Sequence, residues 1–356
     1  MFLVIMSIYD INSNEKEMEL LKLLRQASPI GLKNIHGSCY FNTVLQCLFH
    51  IKKLSLYFLK EKDNFEYYPF SKAYLSVING LINKNHIFDP NNFKNELINK
   101  NPNYKSFGND PKDVLMDFLI YMNEELLEKK GESSIILNNT LNKCDKKDLF
   151  EYYKEEFERT KTIITELFGW FKQTRRNCQF CQKNTFDFIF ELYFNFSLQK
   201  ICINTNNYKR KLKLLECFKF YFKKEKKNFT CQNRNCIYKI NENGDIDNKL
   251  CVLPEYLIII LDRGKDDKFD CYVDFDYELD LKEVTEQIED IKYNTKYGLI
   301  GATFLYGSSG AGHTVAFCKH FDNKYYLFND RICSEKKLED LKNNKAFLLF
   351  YERKNN

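Results

Sequence analysis

An α+β protein is predicted by three observations. Helical periodicities fill the chain to about residue 170, strand-like patterns take over from residue 180, and the aromatic content is ample for a core. The 356 residues include 32 Phe and 23 Tyr, which excludes a disordered chain. The 54 basic residues nearly cancel the 49 acidic ones, and a formal charge of +5 makes no case for nucleic acid. No apolar run is long enough to span a bilayer, so a membrane protein is not expected. The opening MFLVIMSIYD lacks a basic n-region and a small-residue cleavage site. It reads as an initial strand or docking segment, not as a signal peptide. Thirteen cysteines, an odd number, fit a reducing compartment better than a disulfide scaffold.

The elements follow in order. Residues 15–27 form an amphipathic helix candidate. A turn-forming segment with Gly31, Asn34, Gly37 and Ser38 then runs into TyrPheAsnThr from residue 40, where apolar residues at 41, 44, 45, 48 and 49 keep a helical period. That places Cys39 at or just before a helix N-terminus, where the helix dipole and unpaired N–H groups stabilise a thiolate. In GNDPKDVLMDFLIYMNEEL, Gly108 to Leu126, Asp110 is a candidate N-cap with Pro111 at the first helical position. The charged stretch Asn142 to Lys161 is a solvated helix face or a loop insertion. Beyond residue 180, Lys223 to Asn228 and Asn241 to Asn248 read as Lys/Asn-rich turns between strands. The continuous apolar run Tyr256 to Leu261 predicts a buried strand. The alternating segments Thr314–Cys318 and Tyr325–Phe328 predict a hairpin with its turn at His320 to Lys324, so that His313 and Asn329 can meet across it.

Two constellations carry chemistry. A thiol attacks a carbonyl as thiolate, so a nucleophilic cysteine needs a histidine beside it and a polar side chain to orient that histidine. Cys39, His313 and the Asn329–Asp330 pair supply these types. The second constellation is a Cys-x2-Cys knuckle, Cys178 and Cys181, followed by a Cys-x4-Cys knuckle, Cys231 and Cys236. Four soft thiolates in two chelating loops are what a closed, tetrahedral structural zinc site requires. Each residue taken alone has a plainer reading: a cysteine is usually a small buried apolar side chain, and a histidine is often buried against a carbonyl.

Context lifts these residues above that reading. GLKNIHGSCYFNTVLQ resembles the cysteine box of the ubiquitin-specific proteases, with Gly31, Leu32, Asn34, Cys39, Tyr40, Asn42, Leu45 and Gln46 in register. His36, Gly37 and Ser38 stand where that family usually has Gly-Asn-Thr. Downstream, Tyr297, Leu299, Ala302, Gly307, Gly312, His313, Ala316, Phe317, Lys319, Tyr326, Phe328, Asn329 and Asp330 resemble its histidine box, with Leu305 and Thr314 as departures. LPEYLIIILDRG, DFDYELDL and AFLLFYER resemble later landmarks in the expected order. The resemblance implies a papain-like cysteine protease with thumb, fingers and palm subdomains and zinc-ribbon-type fingers. It divides the chain into an N-terminal extension (1–30) and a catalytic domain (31–354), with a mostly helical thumb (31–170), fingers with zinc knuckles (171–250) and a palm (251–354). It also implies a thiol-dependent deubiquitinase that cleaves the bond after the C-terminal glycine of ubiquitin. Cys39 is then the nucleophile, His313 its base, Asn329 the residue that holds His313, Asp330 the reserve for that role, and Asn34 the oxyanion donor. Cys178, Cys181, Cys231 and Cys236 would bind structural Zn2+.

Ubiquitin and ubiquitinated proteins are the expected partners of a monomer with a cytoplasmic and/or nuclear address. Three alternatives stay open at this level: a silent ubiquitin-binding module, a protease for a ubiquitin-like modifier, and a zinc-ribbon nucleic-acid binder using Lys209, Arg210, Lys211 and Lys213. The last leaves the cysteine and histidine boxes unexplained.

Overall fold

The computed structural model describes residues 15–83, 86–106, 109–132, 146–231, 233–264, 269–286, 294–306, 312–341 and 345–355, without the side chains of residues 146–150 and 153. The opening decapeptide, Gly108, residues 142–145 and Gly307 lie outside the described residues. The helices are α1 (15–26), α2 (Cys39–Phe49), α3 (Lys52–Lys60), α4 (Pro69–Asn83), α5 (Asn91–Lys100), α6 (Pro111–Lys129), α7 (Lys146–Arg159), α8 (Ile163–Phe168), α9 (Leu198–Asn204) and α10 (Leu214–Tyr221). The strands are β1 (Trp170–Asn177), β2 (Asn184–Glu191), β3 (Phe194–Ser197), β4 (Lys211–Lys213), β5 (Glu225–Thr230), β6 (Ile240–Val252) and β7 (Tyr256–Asp262). They continue with β8 (Tyr272–Asp274), β9 (Glu278–Asp280), β10 (Lys296–Tyr306), β11 (His313–Lys319), β12 (Tyr325–Asn329), β13 (Ile332–Lys336) and β14 (Ala346–Arg353). Two compact units divide the chain, residues 1–125 with 300–350 and residues 126–299 with 351–356.

The first unit is built around α2. The helical period predicts one apolar face, but residues Tyr40 to Phe49 are all buried. The donors of the polar residues among them are bonded, Gln46 Nε2 to the Ile30 carbonyl (2.8 Å) and Thr43 Oγ1 to that of Tyr40 (2.9 Å), while the side-chain oxygens of Asn42 and Gln46 are buried without a partner. One side of α2 packs on β11 and β12, and Cys47 Sγ lies 3.8 Å from Cys318 Sγ. Phe41 stacks on Phe93 of α5, which also meets Phe70 and Tyr74 of α4 and Phe118 of α6. The N-terminus of α4 is capped from α6, where the buried Glu125 carboxylate accepts from the Phe70 and Ser71 N–H groups at 3.1 and 2.7 Å. Asp110 caps α6 as expected, accepting from the Lys112 N–H at 2.8 Å, with Pro111 first in the helix.

Strands β13, β12, β11, β10 and β14 lie side by side in that order. The predicted hairpin is β11–β12, in antiparallel register from Ala316 opposite Phe328 to Lys319 opposite Tyr325. Its turn is closed by the His320 N–H on the Lys324 carbonyl (2.8 Å), with Asn323 at positive φ.

In the second unit, β2, β1, β6 and β5 form a four-stranded sheet. Phe171, Phe188 and Cys251 form its small core with Phe157 and Phe190. The run Tyr256 to Leu261 is the fully buried strand β7, which pairs in parallel with β3. Two sequence readings need correction here. Asn241 to Asn248 lies inside β6 and most of Lys223 to Asn228 inside β5, so these stretches are paired strands and not turns. β5 has no buried residue, so its ladder needs no apolar alternation and shows none. A register shift between Lys227 and Phe229 bends it further from a regular pattern. The region read as strands also holds two helices, α9 and α10, which bury Leu198, Ile201 and Cys202, and Leu214, Cys217 and Phe218.

Candidate active site

Cys39, Asn34, His313, Asn329 and Asp330 all fall within the first unit. Cys39 is the first residue of α2, a free, half-buried thiol, with buried Ser38 as N-cap. The segment before it is a tight turn in which the Ser38 N–H donates to Asn34 Oδ1 (3.0 Å) and the Ile35 N–H to Ser38 Oγ (2.8 Å). His36 and Gly37, the residues that replace Gly-Asn of the family box, both have positive φ, 52° and 71°. Glycine tolerates that conformation, whereas a histidine has to be held in it.

His313 opens β11, and its Nε2 lies 2.5 Å from Asn329 Oδ1 at the end of β12. With Nε2 donating to that amide oxygen, Nδ1 is the nitrogen free to take a proton. Asp330 follows in the left-handed region (φ 47°) at the β12–β13 turn. Its carboxylate takes Asn34 Nδ2 at 2.7 Å on one oxygen and Asn42 Nδ2 at 2.8 Å on the other, and sits 3.9 Å from His313 Nε2. Its carbonyl accepts from the Leu32 N–H at 2.8 Å. A Cβ at Gly31 would come within 2.5 Å of the Asp330 and Arg331 backbones, so glycine is what lets the two segments touch.

The sequence-predicted residues thus form one bonded path, from His313 to Asn329 and from Asp330 to Asn34 to Ser38, which ends beside Cys39. Asn42 was matched only as part of the box, with no role. Its signal was a polar side chain within an apolar, helical run, which on burial requires a partner. Tyr40, next to Cys39, is buried, and burial pushes its phenol up while the Asn109 amide at 3.2 Å opposes the shift, so it stays neutral.

In the second unit, the two hairpins β1–β2 and β5–β6 each present one cysteine pair at the tip. The sulfur atoms of Cys178, Cys181, Cys231 and Cys236 all lie within 4.8 Å of one another, a set able to hold a metal ion. Cys178 to Cys236 and Cys181 to Cys231 are each 3.8 Å, and Asn233 Nδ2 donates to Cys181 Sγ at 3.3 Å. Burial alone would raise the Cys178 thiol, but the Cys181 and Phe180 N–H groups and the Asn241 side chain outweigh it and bring it down to about 6. Burial pushes Cys231 up to about 12. No helix among the described residues is long and apolar enough to cross a membrane.

Comparison with known proteins agrees with this geometry. The chain is 26% identical over 348 residues to the ubiquitin carboxyl-terminal hydrolase Usp2 of Drosophila melanogaster, covering 91% of this chain and 34% of that protein. It is 22% identical over 350 residues to ubiquitin carboxyl-terminal hydrolase 2 of Bos taurus, covering 90% and 54%. The chain therefore spans between a third and about half of the length of these relatives. Among solved structures, a chain of the SAGA DUB module Ubp8/Sgf11/Sus1/Sgf73 bound to monoubiquitin shares the fold, with a TM-score of 0.71 at 19% identity over 93% of this chain and 70% of that one. The family model described as ubiquitin carboxyl-terminal hydrolase matches residues 30–351, and the chain belongs to that family.

Proposed function

We propose that this chain is a thiol-dependent deubiquitinase that hydrolyses the isopeptide or peptide bond after the C-terminal glycine of ubiquitin. The observation that carries the reading is the His313–Asn329 and Asp330–Asn34 pairing, which gathers an imidazole, its orienting amide and an oxyanion donor at the start of the helix that bears Cys39. His313 Nδ1 takes the Cys39 proton, and the thiolate attacks the carbonyl carbon. The negative charge on the carbonyl oxygen is met by the second Asn34 Nδ2 hydrogen and by the Cys39 N–H, an unpaired donor of the first helical turn. Imidazolium then gives its proton to the leaving amine, and a water activated by the same imidazole cleaves the thioester. Family membership and the ubiquitin-bound neighbour support ubiquitin as the partner. A reducing, cytoplasmic or nuclear address, argued from the odd number of thirteen cysteines, and a monomer are part of the same proposal.

The metal proposed for the cysteine cluster is zinc. A tetrahedron with metal–sulfur bonds of about 2.3 Å has edges of about 3.8 Å, which matches the Cys178–Cys236 and Cys181–Cys231 separations of 3.8 Å. Zinc would tie the two hairpin tips together and takes no part in the steps above.

The test is turnover of a ubiquitin-amide reporter and capture by a ubiquitin C-terminal electrophile. Wild type should do both, and Cys39→Ala should do neither while still binding ubiquitin. Reporter turnover that survives in Cys39→Ala would remove the cysteine from its role. Binding without capture in wild type would favour a silent module.

A further inference from the structure

Segment 88–94 straps the turn before Cys39 from the side opposite Asp330. The Lys33 N–H donates to the Phe88 carbonyl (2.8 Å), the Phe88 N–H to the Gly31 carbonyl (3.2 Å), and Lys33 pairs with Asp89 at 2.8 Å. One residue into α5 beyond its Phe93 anchor, Lys94 Nζ donates to the Ile35 carbonyl at 2.9 Å. Phe93 is buried and stacked on Phe41 of α2, so the stem of Lys94 starts from a fixed point relative to the nucleophile helix.

Two features set this lysine apart from an ordinary surface cation. Among the described residues it makes no ion pair, and its partner is a neutral carbonyl in the middle of the turn. It is also half-buried, and loss of solvent lowers its pKa, a cost that a freely solvated lysine avoids. The contact falls on the peptide that sets the conformation of His36. In a trans peptide the C=O and the following N–H point in opposite directions, so fixing the Ile35 oxygen fixes where the His36 N–H points. A non-glycine residue at positive φ is strained, and a hydrogen bond from a charged donor is among the stronger ones available to offset that strain. Removal of the ammonium therefore takes away one of the bonds that hold the turn at His36, beside those of Ile35 and Ser38. The Ser38 N–H to Asn34 bond spans the same turn.

We infer that Lys94 is a positioning residue of this site: through the Ile35 carbonyl it holds the Asn34–Ser38 turn in the conformation that aims Asn34 at the reacting carbonyl. The inference rests on the hydrolase reading for its kinetic consequence, but not for its geometry. Lys94→Met should lower kcat for the ubiquitin-amide reporter about tenfold, with KM within about twofold, and Lys94→Arg should restore most of it. His36→Gly placed in the Lys94→Met background should recover kcat, because glycine adopts positive φ without cost. A lysine that merely stabilised the fold would show neither the kcat-only effect nor rescue by glycine. Wild-type kcat in Lys94→Met, or no recovery with His36→Gly, would overturn the inference. If wild type fails to turn over the reporter, the hydrolase reading falls, and crystals of Lys94→Met decide the geometry. His36 still at positive φ with the Asn34–Ser38 bond intact would refute the inference, and a relaxed turn would support it.

Discussion

Asp330 holds the widest-reaching position in the site. It bonds two asparagine amides from the other end of the chain, one on the turn and one on α2, while its backbone carbonyl takes a third donor. Asn329 bonds the imidazole and Asp330 the Asn34 amide, so in the proposed mechanism the adjacent pair would divide the work of orienting the base and the oxyanion donor. Asp330→Ala should therefore reduce kcat by about a hundredfold, the loss typical of an oxyanion donor left without aim. The reporter assay checks this, and unchanged kcat would remove Asp330 from the site. Sequence pattern singled out Asn329, Asp330, Asn34, His313 and Cys39 because each sits in a recognisable box. It did not single out Lys94 or a role for Asn42, because neither contact is local: Lys94 and Ile35 are 59 residues apart, Asn42 and Asp330 288 apart.

At the scale of elements, legibility followed burial. The helix after Cys39 and the strand β7 bury their apolar residues, and the sequence period shows it. In the hairpin β11–β12 only β12 alternates between buried and half-buried residues, whereas Thr314 to Cys318 of β11 are buried throughout. β5 is solvated on both faces and bulged, so Lys and Asn fill it and imitate a turn. α9 and α10 were legible in principle, since Leu198, Ile201 and Cys202, like Leu214, Cys217 and Phe218, keep the i, i+3, i+4 spacing, but each helix is only about two turns long. A strand ribbon with little core of its own depends on its tip. Purified protein should carry about one zinc per chain, and its removal with a chelator should expose residues 178–183 and 231–239 to proteolysis while the rate of Cys39 alkylation stays the same. Metal-free protein of equal protease resistance would defeat the zinc assignment.

For the molecule as a whole, pH dependence is set by a buried histidine pair distant in sequence. His50 ends α2 and His320 follows β11; His50 Nε2 and His320 Nδ1 lie 2.9 Å apart, and their outer nitrogens face the Gln46 and Ala27 carbonyls at 2.7 and 2.8 Å. Three contacts need three protons, and a neutral pair has two. One unmade hydrogen bond costs about 1–3 kcal/mol, less than the several kcal/mol of a charge buried among Phe49, Phe321 and Phe328. Asp322 is the acidic group that opposes this at His320, and Tyr326 occupies it at 2.9 Å. Burial first, then His320, pushes His50 down to about 3, and burial lowers His320 as well. Both fall below the unfolded value of about 6.5, so on acidification the unfolded chain binds protons that the folded one refuses. Stability should therefore drop below pH 6.5, by about 1.4 kcal/mol at pH 5.5 for His50, with His320 acting in the same direction. Urea titrations at pH 7.5 and 5.5 check this, and His50→Gln should flatten the dependence by about one proton. A fold that grew more stable on acidification would mean that the pair is charged.

The sequence by itself determined which residues could do chemistry. Nucleophile, base, amide and thiolate ligands depend on residue type and on spacing within short boxes, and both survive in one dimension. The tertiary structure decided which of them bond to one another: that Asp330 serves Asn34 and Asn42, that Lys94 reaches the turn, and that two histidines share a buried contact. Hydrogen bonds act over about 3 Å of space regardless of how much chain lies between the partners, so only the folded backbone could assign them.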